Sequence, residues 1–114
     1  MARVIITKEL EEKINKKFKK ESIKIFDLMN SLENNPKKGK PVTQVGGILI
    51  KELKYGSFRF YFLVDGYKIK ILDDNELVDL LIKFVAMSDK KDQQETIDKI
   101  KDFLRTFGKE SFNK

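Results

Sequence analysis

The sequence predicts an α+β domain in which an N-terminal helical hairpin packs on a small antiparallel β-sheet and a further helix closes the chain. Apolar residues recur at helical spacing over Leu10–Leu32, alternate with polar residues over Ser57–Asp65, and return to helical spacing over Ile97–Phe107. The 114 residues suffice for one domain, 1–114, and about 109–114 are expected to form a loose tail.

The first third of the chain predicts a strand followed by two helices. Arg3–Thr7 is short and β-branched, as strands are, and Thr7 suits the cap of a helix that begins at Lys8. A cluster of lysines around Lys20 predicts a break, after which Ser22 is a candidate cap for the second helix. The apolar stripe shared by the two helices consists of Leu10, Ile14, Phe18, Ile25, Met29 and Leu32.

The middle of the chain predicts a meander of strands. Pro36 ends the second helix, and the lysine-containing segment Pro36–Pro41 is predicted to be a loop. Strands are expected at Ile48–Lys54 and Ser57–Asp65, joined by a tight turn. The Asp-Gly pair at residues 65–66 indicates a two-residue hairpin turn into a strand at Tyr67–Leu72.

The last third predicts one more strand and the closing helix. Leu77–Met87 is the expected final strand, and Ser88 and Asp89 offer caps for the helix that follows. Gly108 marks the end of that helix. Its aromatic stripe, Phe103 and Phe107 beside Leu104, predicts a contribution to the core, with a partner groove as the alternative.

The composition excludes many classes of catalytic site. With no Cys and no His, the chain has no disulfide, no zinc finger, no thiol nucleophile and no Ser-His pair. Any proton transfer falls to carboxylates, Lys, Tyr or backbone groups. No segment has the length and apolar character of a signal peptide or membrane span. We therefore expect a cytoplasmic protein that does not associate with a membrane.

The positive charge is concentrated in the first half of the chain. The net charge is +6, from 24 basic and 18 acidic residues. Residues 1–54 contain 13 basic and 7 acidic side chains, whereas residues 55–114 contain 11 of each. This asymmetry favours an anionic partner, with solubility as the alternative explanation.

Strand Ser57–Asp65 presents two different faces. Phe58, Phe60, Phe62 and Val64 form an apolar face, and the opposite face places Arg59 beside Tyr61. Because Arg is costly to bury and Tyr is amphipathic, this second face is expected to be solvent-facing or concave. With Lys51 and Lys54 on the preceding strand, it matches a groove for single-stranded RNA, in which cations pair with phosphates and bases stack on the ring. The alternative is an ordinary solvated sheet face.

A group of acidic residues offers the main candidate for a metal site. The group consists of Asp73, Asp74, Glu76 and Asp79, but it lacks the spacing and the sixth-position Gly of an EF-hand loop. We interpret it as a solubility patch and expect neither a metal nor a cofactor.

Three segments resemble the RelE/ParE superfamily of toxin–antitoxin toxins. Leu32–Lys40 (LENNPKKGK) is similar to the family's L-x-x-x-P-x-x-G-K segment at the end of a helix. Leu53–Asp65 (LKYGSFRFYFLVD) resembles the hairpin L-(K/R)-x-G-x-(Y/F)-R-x-x-Y-x-V-D. Phe84–Gln94 (FVAMSDKKDQQ) is similar to the last strand and basic turn, with the Lys-Lys pair common in the HigB-like branch. The resemblance spans about Lys8 to Leu104.

The resemblance implies a cytoplasmic messenger-RNA endoribonuclease. Ribonuclease members of the family usually cut messages in the ribosomal A site and are silenced by a small cognate antitoxin protein. The ribose 2′-hydroxyl attacks the adjacent phosphate and gives a 2′,3′-cyclic product without a metal. The reaction needs a base, cations for the phosphate and an acid for the leaving 5′-oxygen.

The resemblance also implies roles for particular residues. Arg59 matches the strand arginine that stabilises phosphate charge, and Glu52 or Tyr61 is the candidate for proton transfer. The expected RNA-binding cations are Lys51, Lys54, Lys90 and Lys91. Lys54 matches a basic residue of the family on the strand before Arg59, and Lys90 and Lys91 stand where the family places cationic residues after the last strand.

The chain departs from the family pattern at two places. Gln94 stands where a Tyr or His is common, and Ile50 and Glu52 stand where ribonuclease members have a pair of Lys. Lys51 lies between them in the opposite phase, so it is predicted to point to the other face of the sheet. These departures support an alternative, a non-catalytic ParE-like or inactive protein that binds a protein partner such as gyrase.

Overall fold

The computed structural model describes residues 2–72, 79–108, 110 and 112, and within them five strands and four α-helices. The strands are β1 (Ala2–Ile6), β2 (Lys40–Val45), β3 (Ile48–Tyr55), β4 (Phe58–Asp65) and β5 (Leu80–Asp89). The helices are α1 (Lys8–Phe18), α2 (Ser22–Asn30), α3 (Gly66–Ile71) and α4 (Gln93–Phe107). The α+β class is confirmed by this order of elements.

The five strands form one mixed sheet in the order β1-β5-β4-β3-β2. Strands β2 to β5 pair antiparallel, but β1 pairs parallel to β5, from Ala2 opposite Leu80 to Ile6 opposite Phe84. The prediction of a purely antiparallel sheet is therefore wrong. A parallel pair needs a long connection, and β1 and β5 are far apart in sequence, which periodicity within each strand does not reveal.

The N-terminal helical hairpin and its break are confirmed. Thr7 caps α1 by accepting a hydrogen bond from the backbone N–H of Leu10 at 3.3 Å. The chain turns at Lys19, whose φ of 51° ends the helix. Ser22 is buried and is the first residue of α2 rather than its cap. Its hydroxyl donates to the carbonyl of Ile14 in α1 at 3.1 Å. This bond joins the two helices.

The predicted strand at Tyr67–Leu72 is wrong, because most of this segment forms helix α3. Asp65 does not start a hairpin turn: its carboxylate accepts from the backbone N–H groups of Tyr67 and Lys68 at 3.0 and 3.1 Å and caps the helix. Alternating apolar and polar residues over so short a segment are compatible with either a strand or a helix. Here the helix cap that Asp65 provides determines the structure. The acidic residues Asp73, Asp74 and Glu76 lie outside the described residues, as does the start of the predicted strand Leu77–Met87.

Strand β2 replaces the end of the predicted loop Pro36–Pro41. It lies at the edge of the sheet, a position in which proline is tolerated, and its pairing with β3 shifts between Pro41 and Thr43. Gly46 and Gly47 join β2 to β3 with φ of 54° and 85°. Two positive φ values in a two-residue hairpin turn explain why glycine occupies both positions.

Two apolar clusters lie on opposite faces of the sheet. The hairpin of α1 and α2 covers the first cluster, which includes Leu10, Ile14, Ile25, Met29, Leu32, Leu53, Phe60, Phe62, Val64 and Phe84. Helix α4 covers the second, which contains Ile48, Ile50, Tyr61, Leu63, Ile97, Ile100, Leu104 and Phe112. Phe112 belongs to the segment predicted to be a loose tail, yet its side chain is buried.

The closing helix ends as predicted but begins later and exposes part of its aromatic stripe. Gly108 follows α4, and its N–H donates to the carbonyl of Leu104 at 2.8 Å. Phe103 and Phe107 are exposed, so of the predicted stripe only Leu104 is buried. No helix in the described ranges is long and apolar enough to cross a membrane.

Candidate active site at the Arg59 end of the sheet

The register of three strands brings the central candidate residues together at one end of the sheet. Arg59 lies opposite Lys54 of β3 and opposite Ser88 of β5, and Tyr61 lies opposite Glu52. Alternation along each strand places these five residues on the same face. This is the face that α4 covers.

Arg59 and Glu52 form an ion pair beneath the start of α4. Arg59 Nε lies 3.6 Å from Glu52 Oε2, and the two side chains are only 11% and 4% exposed. Gln93, the first residue of α4, donates from its amide to the same carboxylate oxygen at 3.5 Å. Arg59 Nε is buried and makes no hydrogen bond within the described part of the chain. The guanidinium is thus held in place while part of its donor capacity stays unused.

Tyr61 is fully buried rather than exposed to solvent. Its hydroxyl lies 2.8 Å from Ser88 Oγ, and its ring packs in the cluster beneath α4. Burial raises the pKa of Tyr61, as does the charge of Glu52, whereas the Ser88 hydrogen bond and Arg59 oppose the rise. The predicted solvent-facing or concave surface therefore does not extend to this ring, because α4 covers it, and bases cannot stack on it.

Lys51 lies on the other face, as its phase in the strand predicted. Its side chain is buried against the loop before β2, where Nζ donates to the carbonyl of Lys37 at 3.0 Å and lies 5.7 Å from the Phe62 ring centre. Gly39 lets this loop approach, since its φ is 103° and a Cβ there would lie 2.7 Å from Phe62. Lys51 is therefore separated from Arg59 by the sheet.

The other three predicted cations are exposed. Lys54 lies directly across from Arg59, and Lys90 and Lys91 follow the end of β5. Because Phe58 pairs with Asp89, the Lys-Lys pair comes directly after the strand end that lies beside Arg59. The register thus brings cations from two further segments to the same end of the sheet.

Two residues of this site were not predicted from the sequence. Ser88 was considered only as a helix cap, and Gln93 was not singled out. Gln93 is 41 residues from Glu52 in the sequence, and nothing local to either residue indicates their contact. The strand register and the placement of α4 are needed to find them.

The described residues contain no group of carboxylates suited to a metal ion. Asp79, the one described member of the predicted acidic group, pairs with Arg3 at 3.7 Å on the surface.

No protein family, curated protein or solved structure matches this chain.

Burial of Lys51 predicts an alkaline pH dependence of stability. Burial lowers the pKa of Lys51, and the nearby charge of Lys37 lowers it further. The unfolded chain therefore binds this proton more tightly, so the contribution of Lys51 to the free energy of unfolding rises as the pH rises from the lowered pKa towards ~10.4. A Lys51→Met variant lacks this term, and its free energy of unfolding relative to wild type is expected to fall over that range.

Denaturant titrations at several pH values measure this difference. The raised pKa of Tyr61 lowers the free energy of unfolding as the pH rises above about 10. This effect is the same in wild type and in Lys51→Met, so it cancels in their difference. Lys54→Met, which removes an exposed lysine from the same strand, is the matched control for the substitution. A difference between Lys51→Met and wild type that does not change with pH would contradict the proposed environment of the Lys51 ammonium group.

Proposed function

We propose that this chain is the toxin of a toxin–antitoxin pair and a metal-independent messenger-RNA endoribonuclease of the RelE/HigB type. The observation that supports this most strongly is the Arg59 guanidinium, which pairs with Glu52 opposite the exposed Lys54, while Gln93 donates to the same Glu52 carboxylate. A cation held in a fixed position is suited to the charge that develops on a phosphate during its cleavage. The sequence motifs around Arg59 support the same assignment.

In this proposal Arg59 stabilises the pentacoordinate phosphate, and Lys54, Lys90 and Lys91 supply further positive charge. The 2′-hydroxyl loses its proton as its oxygen bonds to phosphorus, and the bond to the 5′-oxygen breaks as that oxygen takes a proton from solvent water. Glu52 is the better placed proton acceptor, since its carboxylate adjoins Arg59, whereas the raised pKa of Tyr61 keeps the phenol protonated. A phosphate that pairs with Arg59 would release the carboxylate for this role.

The proposed biological setting is the cytoplasm, with messages on the ribosome as substrate. A cognate antitoxin protein would silence the activity, and a short acidic open reading frame beside this gene would support that pairing. No metal or cofactor takes part in the proposed reaction.

Expression of the chain followed by primer extension on translated messages tests the proposal. We expect growth arrest and new 5′ ends within coding regions, at positions absent from cells without the protein. Messages that stay intact during growth arrest would contradict endoribonuclease activity.

One observation favours a second candidate, a non-catalytic ParE-like protein that binds a target such as gyrase, or an inactive relative. Both candidates for proton transfer are engaged: Glu52 contacts Arg59 and Gln93, and Tyr61 is buried against Ser88. For a gyrase-binding protein, expression is expected to cause DNA damage while messages stay intact. An inactive relative is expected to leave growth unchanged.

A further inference from the structure

A groove opens along the end of β5, where the shorter strand β1 no longer covers it. The last β1 pair joins Ile6 to Phe84, and beyond it β5 has no strand on that side within the described residues. The resulting groove, of about 750 Å³, lies between the start of α1, the end of β5 and α4. Ser88, which pairs with Arg59 in the sheet, forms part of its wall.

The groove continues into a second depression on α1. This depression, of about 350 Å³, is lined by Lys13, Lys16, Lys17 and Met87. Lys13 and Met87 also line the larger groove, so the two concavities adjoin. A continuous surface therefore connects the neighbour of Arg59 with the lysines of α1.

The lysine end of this surface is strongly positive. Lys16 and Lys17 are exposed, and Lys17 Nζ lies 5.0 Å from the ring centre of Phe58, the residue before Arg59. Three carboxylates also line the larger groove, those of Glu9, Asp92 and Glu95. Glu9 pairs with Lys13 at 3.6 Å and Glu95 pairs with Lys99 at 3.4 Å. The dipole of α1 favours lysines in its last turn, but it does not explain their position at the end of a groove.

We propose that Lys16 and Lys17 bind phosphates of the same RNA strand that is cut at Arg59, as that strand runs past Ser88 and Met87. This inference rests on the proposed function and extends it from one phosphate to a path along the RNA backbone. A positively charged groove that follows the backbone is how proteins hold single strands without sequence preference. The buried Tyr61 offers no stacking surface, so charge supplies the binding along this path.

Binding of 2′-O-methylated RNA tests the path, because this probe lacks the attacking hydroxyl and cannot be cleaved. The affinities of a probe of about 15 nucleotides and one of about 3 nucleotides are measured against salt concentration. For Lys16→Gln/Lys17→Gln, we expect the salt slope for the long probe to fall by about 1.4, the contribution of two phosphate contacts on a single strand. The short probe is expected to bind this double variant with the same affinity as it binds the wild-type chain.

Lys68→Gln/Lys70→Gln is the matched control. It removes the same charge from exposed positions of α3, which follows β4 at the opposite end of the sheet from Arg59. An equal loss in both double variants, or an unchanged slope for the α1 variant, would overturn the proposal. If the α1 variant instead loses only binding to an acidic protein partner, the lysines belong to a protein interface and the RNA path is wrong. Since the probe is never cut, these outcomes hold even if the chain has no ribonuclease activity.

Discussion

An Arg59→Ala variant is expected to cut messages about 10²–10³-fold more slowly than the wild-type chain. The guanidinium is the charge that the proposed mechanism aims at the phosphate, and loss of one such donor costs about 2.7–4 kcal/mol of transition-state stabilisation. Quantitative primer extension at matched protein levels measures the effect. Unchanged cleavage in Arg59→Ala would remove Arg59 from the mechanism.

The same substitution also destabilises the fold, and a second variant separates the two effects. Glu52 is 4% exposed, so removal of Arg59 leaves a buried carboxylate without its cation, at a cost of about 3 kcal/mol. The double variant Arg59→Ala/Glu52→Gln removes this orphaned charge and is expected to recover most of the stability. Cleavage is expected to stay lost, because this variant lacks both the phosphate-binding cation and the proposed proton acceptor. Recovery of cleavage together with stability would show that neither residue acts in the chemistry.

Phe62→Ala is expected to have the largest effect on stability, a loss of about 3–5 kcal/mol in the free energy of unfolding. The side chain is fully buried, its ring centre lies 4.8 Å from that of Phe84, and it also contacts the loop at Gly39. Its removal opens a cavity between the sheet and the helical hairpin. Denaturant titration measures the loss, which is a large share of the 5–15 kcal/mol typical of a domain.

Phe107→Ala is the matched control for this prediction. Its side chain is 61% exposed on α4, so the same substitution is expected to cost less than about 1 kcal/mol. Equal losses in the two variants would contradict the arrangement of core and surface described above.

Local patterns predicted the elements that have strong periodicity or caps. The α1–α2 hairpin, the β3–β4 hairpin and the C-terminal helix all have apolar spacings long enough to determine their type. The short segments were mispredicted: Tyr67–Leu72 alternates like a strand but is capped by Asp65, and Lys40–Val45 has a proline that only an edge strand accommodates. In both cases the tertiary position, rather than the local pattern, decides the structure.

Only part of the candidate site was predicted, because the rest depends on tertiary position. Strand phase correctly separated Lys51 from Glu52, and the alternation in β4 placed Arg59 and Tyr61 on one face. Burial of that face was not predicted, because it depends on where α4 docks. Gln93 and Ser88 reach the site only through that docking and through the β4–β5 register.

Analysis of the RNA ends produced by the chain tests the central claim most directly. We predict that the fragment upstream of each cut ends in a 2′,3′-cyclic phosphate, because the 2′-hydroxyl is the proposed nucleophile. These ends are expected to disappear in the stable double variant Arg59→Ala/Glu52→Gln. Fragments with 3′-hydroxyl ends, or the absence of any cuts in cells that express the wild-type chain, would contradict the proposed ribonuclease.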